Sequence, residues 1–312
     1  MVSGWIILDK DSGAKSRRAG NQIRKMSGAE SFGHIGTLDP MASGVLPIAL
    51  GEATKMIPYM PGGRKVYEFS IVFGIKTDTD DIMGNILMRS PVKPGTTGIK
   101  KALEGFHGKI MQVPPAYSAV HVDGVRAYKL ARKGQAVDIP AREVEVFALS
   151  LLDDGMPGQA RHDNEYRFRV ECSAGTYVRA LARDIAAKLG TFGVAGMIRR
   201  VETNGFSLKD AIRLEKLEEL VNNGRDESFN DSNPGGEFGE GILKPVDFGL
   251  DGIPVLNLDS EQTRLFRNGG FVALNAGNCE GTSIFRIYYG DEFIGIGMTE
   301  GGLLRPKRVI NK

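Results

Sequence analysis

A chain of 312 residues with 41% hydrophobic content is long enough for one large domain, or for a large domain and a small one. No apolar run of about 18 residues occurs, so no membrane span is expected, and the opening Met-Val-Ser-Gly-Trp has neither the basic region nor the apolar stretch of a secretion signal, so a cytoplasmic protein is expected. Cys172 and Cys279 lie far apart among four scattered histidines, which gives no ligand cluster of zinc spacing and no expected metal, while 40 basic against 38 acidic residues leave a net charge of only +2.

Gly4–Leu8 is a short apolar strand leading to Asp9-Lys10. Ser16–Ser27 reads as a helix, with Ala19, Ile23 and Met26 at helical spacing and Ser16 as its N-cap. Gly33–Lys55 holds four glycines and two prolines, the pattern of a shaped loop, with Leu38, Met41, Val45 and Leu46 as apolar anchors. Val66–Phe73 alternates with period two and reads as a strand; its first aromatic, Tyr67, is either a core residue or the lining of a cleft. Gly74–Asn85 is an acid-rich loop without the closing glutamate of a calcium site. Ile99, Leu103 and Phe106 follow helical spacing, and Pro114-Pro115 excludes a central strand there.

Val120–Gly134 suits a hairpin or flap, since Tyr117, His121 and Tyr128 are interleaved with basic residues. Tyr166–Cys172 alternates as a half-buried strand, and after the turn Ser173–Thr176 a helix begins at Tyr177 and closes at Gly190. Arg179 then falls in the first turn of that helix, off its apolar stripe. A cation there opposes the helix dipole, so Arg179 either faces an anionic partner or reaches solvent. Leu214–Val221 is a further helix, and Asn222–Gly241 is polar, acidic and glycine-rich, as a flexible linker is. Beyond it, Ile253–Leu258, Gly270–Leu274, Ser283–Tyr289, Glu292–Met298 and Leu303–Ile310 are short strands of a small all-β module. Basic residues gather at 10–25, at 124–133 and at the end of the chain, with acids between Glu215 and Asp247. That distribution fits either an RNA-binding face or ordinary solvated surface.

One carboxylate, Asp39, sits inside the Gly33–Lys55 stretch, pushed toward extended backbone by Pro40. Taken alone, Leu-Asp-Pro-Met is an ordinary Asx-type turn. Its surroundings, Gly-His-Ile-Gly-Thr-Leu-Asp-Pro-Met-Ala-Ser-Gly-Val-Leu-Pro, closely resemble the catalytic motif of the TruB-type pseudouridine synthases, in the stand-alone form found in bacteria. Arg-Lys-Val-Tyr at 64–67, Thr-Asp-Thr at 77–79, Pro-Pro-Ala-Tyr-Ser-Ala at 114–119, Gly-Thr-Tyr-Val-Arg at 175–179 and Ile-Arg-Arg at 198–200 resemble further motifs of the same family. The chain departs from the pattern at Asp11, where the family has proline, and at Ile198, where it has leucine.

The resemblance implies an α+β fold: a pseudouridine-synthase catalytic domain with a mixed, mainly antiparallel sheet over residues 1–248, and a PUA-like, all-β RNA-binding domain over 249–312. It places an RNA-covering insertion at about 112–145 and implies the flexible acidic loop at about 222–241. It makes Asp39 the catalytic aspartate, with His34, Tyr67, Tyr177, Arg179 and Ile198 binding the substrate, Arg179 by pairing with Asp39. The implied reaction flips a T-loop uridine (position 55) of tRNA out of its stack, breaks the N1–C1′ bond and joins C5 to C1′. It needs no cofactor and no metal, because every bond made or broken lies within one nucleotide. A tRNA T-arm partner, no guide RNA, no membrane and a monomer are expected. For Asp39, covalent attack and proton abstraction, on base or on ribose, both stay open.

Overall fold

The computed structural model describes residues 2–152, 164–223, 241–274 and 283–311. Strand β1 (Gly4–Lys10) leads to helix α1 (Ser16–Ser27), then β2 (Phe32–His34) and β3 (Ser43–Leu50). After β4 (Lys65–Phe73) come the hairpin β5 (Ile75–Thr77) and β6 (Ile86–Arg89), helix α2 (Thr96–Leu103) and β7 (Gly108–Gln112). A second small hairpin, β8 (His121–Val122) and β9 (Val125–Arg126), runs into α3 (Ala127–Ala131). Next are β10 (Arg142–Leu151), β11 (Glu165–Cys172), α4 (Val178–Lys188), β12 (Gly193–Thr203), the short β13 (Phe206–Ser207) and β14 (Ile212–Arg213), and α5 (Leu214–Asn223). The last part holds β15 (Val255–Asn257), α6 (Ser260–Arg267), β16 (Val272–Ala273), β17 (Ser283–Tyr289), β18 (Glu292–Glu300) and β19 (Leu303–Val309).

Among the described residues ten strands form one sheet in the order β14-β1-β3-β12-β4-β11-β10-β7, with β2 alongside β3 and β13 alongside β12. The β1–β14 and β3–β12 pairs are parallel and the other neighbours antiparallel, so the sheet is mixed and mainly antiparallel. A five-stranded sheet, β15-β17-β18-β19-β16, forms the C-terminal part.

Around β1 and β3 the large sheet is buried on both faces, which is why β1 reads as an unbroken apolar run rather than an alternation. Ile6 and Leu8 face one core with Ile23 of α1, Ile99 of α2 and Leu181 and Ile185 of α4. Trp5 and Ile7 face a second core with Met56, Phe206, Leu250 and, from the C-terminal sheet, Ile296. The indole N–H of Trp5 donates to the Val246 carbonyl at 2.9 Å, and its backbone exchanges two bonds with Lys244. The two sheets therefore share a core; Glu52 also accepts from the Asn311 N–H at 2.9 Å.

Several expectations are corrected. The Gly33–Lys55 stretch is a loop only between β2 and β3: from Ser43 it is a central strand, followed by a 3₁₀ helix over Gly51–Tyr59. Pro47 is tolerated in β3 because its missing N–H points to the β2 side, beyond β2's last paired residue, His34. There the Pro47 carbonyl accepts from the Ile35 N–H at 3.1 Å. Ser16 begins α1 but does not cap it; Lys15 is the N-cap, and the Ser16 hydroxyl is spent elsewhere. Residues 142–145 of the 112–145 insertion belong to β10, paired with β7, so what leaves the sheet is 113–141. The C-terminal strands are joined by one helix that alternation does not show, α6, whose Asp259 and Gln262 form a capping box. Residues 224–240, most of the expected acidic linker, lie outside the described residues, as does Cys279.

Candidate active site

The loop bearing Asp39 is clasped from below by the turn between β1 and α1. The Ser16 hydroxyl accepts from the Leu38 N–H at 3.1 Å and donates to the Leu38 carbonyl at 3.0 Å, fixing the residue before Asp39. The Gly13 N–H donates to the Pro40 carbonyl at 2.7 Å and the Ser12 hydroxyl to that of Met41 at 2.8 Å. Lys10 is buried beneath, donating to the carbonyls of Asp11 at 2.9 Å, Ala14 at 2.8 Å and Pro40 at 3.4 Å. Burial lowers its pKa to about 8, against the raising influence of Asp11 and Asp39. Asp11, standing where the family pattern has proline, thus keeps a turn held by hydrogen bonds.

From the other side the loop is held by Arg200, fully buried on β12. Its Nε donates to the Val45 carbonyl at 2.8 Å and its Nη2 to that of Gly36 at 2.7 Å. At Gly44 (φ 101°) a Cβ would lie 2.1 Å from the Arg200 carbonyl, so glycine is required where loop and strand meet.

Arg179, buried in the first turn of α4, reaches three separate segments. Its Nε and Nη2 both lie 2.8 Å from Asp39 Oδ2. Nη1 donates to the Thr79 carbonyl at 2.7 Å and lies 3.6 Å from Asp81 Oδ2, and Nη2 donates to the Tyr117 carbonyl at 3.0 Å. The cation at the helix N-terminus thus faces two carboxylates, which offsets the dipole. The fork closes on one oxygen of Asp39, and among the described residues Oδ1 has no partner. The Asp39 side chain is 38% exposed, so it is not the buried group its apolar neighbours suggest; those neighbours anchor the backbone and leave the carboxylate open.

Around it the sheet supplies the walls. Tyr67 of β4 sits opposite Arg200, and Ile198 opposite Phe69, and both side chains are buried. Tyr67 is at once a core residue and a neighbour of the site: its ring joins the main core, while desolvation raises its phenol pKa against the pull of Arg200. His34 lies 3.3 Å from the Thr37 hydroxyl, and its pKa is lowered by burial and by Arg200 and Arg17, which favours the uncharged ring. Tyr177 caps α4; its backbone exchanges bonds of 2.8 and 3.2 Å with the fully buried Gln112 amide, and Arg142 lies over its ring at 4.9 Å.

Sequence reading misses Ser16 as a clasp, Gln112, Arg200 as a strut, and above all Asp81. No second carboxylate stands out near the loop in the sequence, yet Asp81 shares Arg179 with Asp39. Its turn is folded back by Asp80, at φ 58°, whose carbonyl accepts from the Ala195 N–H at 3.1 Å. The run of acids at 78–81 is the available signal. Among the described residues no cluster of His, Cys, Asp and Glu is disposed to hold a metal.

Ser16→Ala removes both bonds to Leu38 and lets Asp39 drift, so kcat should fall roughly tenfold with KM little changed. Single-turnover and steady-state rates measure it; a proportional rise in KM instead would count against positioning.

Residues 24–178 match the N-terminal domain of TruB family pseudouridylate synthase, and residues 254–310 match the C-terminal domain of pseudouridine synthase II TruB. The tRNA pseudouridine synthase B of Mesorhizobium japonicum is 38% identical, covering 99% of this chain and 96% of that protein. That of Brucella anthropi is 40% identical, covering 99% and 95%. The chain belongs to the TruB family and is a pseudouridine synthase, an isomerase. Its fold is also similar to two solved structures, a Cbf5-Nop10-Gar1 complex (TM-score 0.69, 23% identity, 98% of this chain and 84% of that one) and an H/ACA RNP bound to a substrate RNA containing 2′-deoxyuridine (TM-score 0.69, 21%, 99% and 85%).

Proposed function

We propose that this protein converts a uridine of the tRNA T-loop, position 55, to pseudouridine, with Asp39 as the catalytic carboxylate. The observation that carries the reading is the state of Asp39: one oxygen is gripped by Arg179 and the other is open at the surface of a rigid loop. The uridine leaves its stack to reach Oδ1. The N1–C1′ bond breaks, the uracil turns within walls made by Tyr67, Ile198 and Tyr177, C5–C1′ forms, the C5 proton is released and N1 takes up a proton. Atoms and electrons balance within one nucleotide, so no cofactor or metal is invoked. A glycoside hydrolase would also attack C1′, but it needs a second carboxylate free to act as acid. Asp81 is 9% exposed and engaged by Arg179, which does not suit that task.

The names of the curated relatives support tRNA as the substrate, and the stand-alone form supports action without a guide RNA, by a monomer. No helix among the described residues is long and apolar enough to cross a membrane, which accords with a cytoplasmic site of action. The reading assigns catalysis to residues 1–248 and RNA binding to 249–312, with 113–141 covering the RNA. The test is direct: unmodified tRNA transcript is incubated with the protein and uridine 55 is assayed for pseudouridine. Absence of product at that position would reject the reading.

The C-terminal assignment has its own test. Lys307 and Arg308 are exposed on β19, so Lys307→Glu/Arg308→Glu should weaken tRNA binding and flatten its salt dependence by about 1.5 in the log–log slope, through two lost phosphate contacts. An unchanged dissociation constant would remove this face from the RNA path. Deleting 250–312 is a poorer test, because it strips Ile296 from the core around Trp5.

A further inference from the structure

One turn along α4 from Arg179 opens a cavity of about 550 Å³ that the chemistry above does not use. Its walls are the end of α4, the 190–193 segment and the β5–β6 hairpin. They are fixed to one another: Gly74 N–H donates to the Phe192 carbonyl at 2.8 Å, Ser90 N–H to that of Gly74 at 2.8 Å, and the Thr191 hydroxyl to that of Val92 at 3.1 Å. The cavity is therefore preformed, and its volume is in the range that holds a small organic ligand.

Its charges are unbalanced. Lys76, Arg89 and Arg183 line it with one acid, Asp184. Each nitrogen of Arg183 is engaged, donating to Asp184 at 2.8 Å, to Asp80 at 2.9 Å and to the Val113 carbonyl at 2.8 Å, so it also takes up the nearby carboxylates. Among the described residues the Lys76 and Arg89 side chains have no hydrogen-bond or ion-pair partner. Lys76 is paired with Met88 and Arg89 with Ile75, yet both reach the cavity without a counter-ion, which an anion bound there would supply. Beside them Phe192 and Pro91 give a flat, partly exposed apolar wall. A divalent inorganic anion alone would use the cations and waste that wall; a planar heterocycle carrying a phosphate uses both.

We propose that this cavity is a nucleotide-binding subsite, taking a nucleoside phosphate with its phosphate on Lys76 and Arg89 and its base against Phe192 and Pro91. The nucleotide comes either from the bound RNA, as a unit near the flipped uridine, or from the free pool. The first source rests on the proposed function and the second does not. Beyond the cavity Ile86 and Met88 on one face of β6, and Leu87 on the other, are exposed apolar surface on which unstacked bases of an RNA can lie.

The test uses the full-length protein and the double variant Lys76→Glu/Arg89→Glu, with Lys76→Gln/Arg89→Gln as a milder form and melting temperature as the control for folding. Uridine 5′-monophosphate and inorganic phosphate are titrated by calorimetry, and tRNA transcript by fluorescence anisotropy over a range of salt. If RNA supplies the nucleotide, the glutamate pair should weaken tRNA binding at least tenfold and lower the log–log salt slope by about 1.5. The single-turnover rate at saturating RNA should stay that of wild type. If the free pool supplies it, the monophosphate binds wild type more tightly than phosphate does and loses that binding in the variant, with tRNA affinity unmoved. Either result supports the subsite. Unchanged affinity for both probes in both variants overturns it, and so does phosphate binding as tightly as the monophosphate with tRNA unaffected. Failure of the wild-type protein to form pseudouridine would instead reject the proposed function, and the monophosphate titration would still decide the cavity independently.

Discussion

Asp39→Asn should abolish isomerisation, with a loss on the order of 10³-fold or more in single-turnover rate, while tRNA affinity stays within about threefold of wild type. The substitution keeps the shape of the side chain, and the asparagine carbonyl can still accept from Arg179 in place of Oδ2. It removes the charge and basicity of the open oxygen. The loop does not depend on that charge, since Ser16, Gly13, Lys10 and Arg200 hold it through backbone carbonyls and the Leu38 N–H. Arg179 keeps Asp81 as a counter-charge, so the fold should survive with a melting temperature close to wild type. Tritium release from 5-tritiated uridine in tRNA reads the rate directly. Turnover near wild type would take Asp39 out of the chemistry.

Arg179 should give the second large effect. Its guanidinium joins α4 to the Asp39 loop, to the turn at Thr79–Asp81 and to the Tyr117 segment, through donors in a fixed plane. Lysine keeps the charge but gathers its donors on one nitrogen, which cannot span acceptors that the guanidinium meets from three separate nitrogens. Arg179→Lys should therefore cost roughly 100-fold in kcat with RNA affinity nearly unchanged. Arg179→Ala goes further, because it leaves the nearly buried Asp81 without its cation; truncating one partner of a buried pair costs about 3–5 kcal/mol in comparable cases. That variant should melt at a lower temperature as well as turn over more slowly. Lysine turning over like arginine would mean that charge alone matters, and that the planar grip is incidental.

Asp39 and Asp81 differ in how far their roles are written in the residues around them. Asp39 stands out because its own neighbours, Gly36, Pro40 and Gly44, impose backbone shape locally, and that local constraint is written in consecutive residues. Asp81 is separated from it by more than forty residues, and its importance comes only from sharing Arg179. Ser16 is similar: a serine at the start of a helix reads as a cap from local preference, but a Leu38 backbone brought alongside competes for the same hydroxyl and wins both of its bonding roles. β3 reads as loop because prolines and glycines usually end strands. Here the ladder leaves a gap opposite Pro47, and the Arg200 backbone crosses Gly44 at close range.

The sequence by itself determined the strands with period-two alternation, the helices α1, α4 and α5, the β character of the C-terminal part and the identity of the residues around Asp39. These follow from chain-local preferences and from patterns a few residues long. Tertiary structure alone decided that Asp39 is open rather than buried, that Arg179 grips one of its oxygens, that Arg200 and Lys10 are spent as buried struts, and that the two sheets share a core through Trp5 and Ile296. The reason is physical: exposure and the choice of hydrogen-bond partner depend on which distant segments fill the space beside a group, and that is settled only when those segments have packed against the sheet.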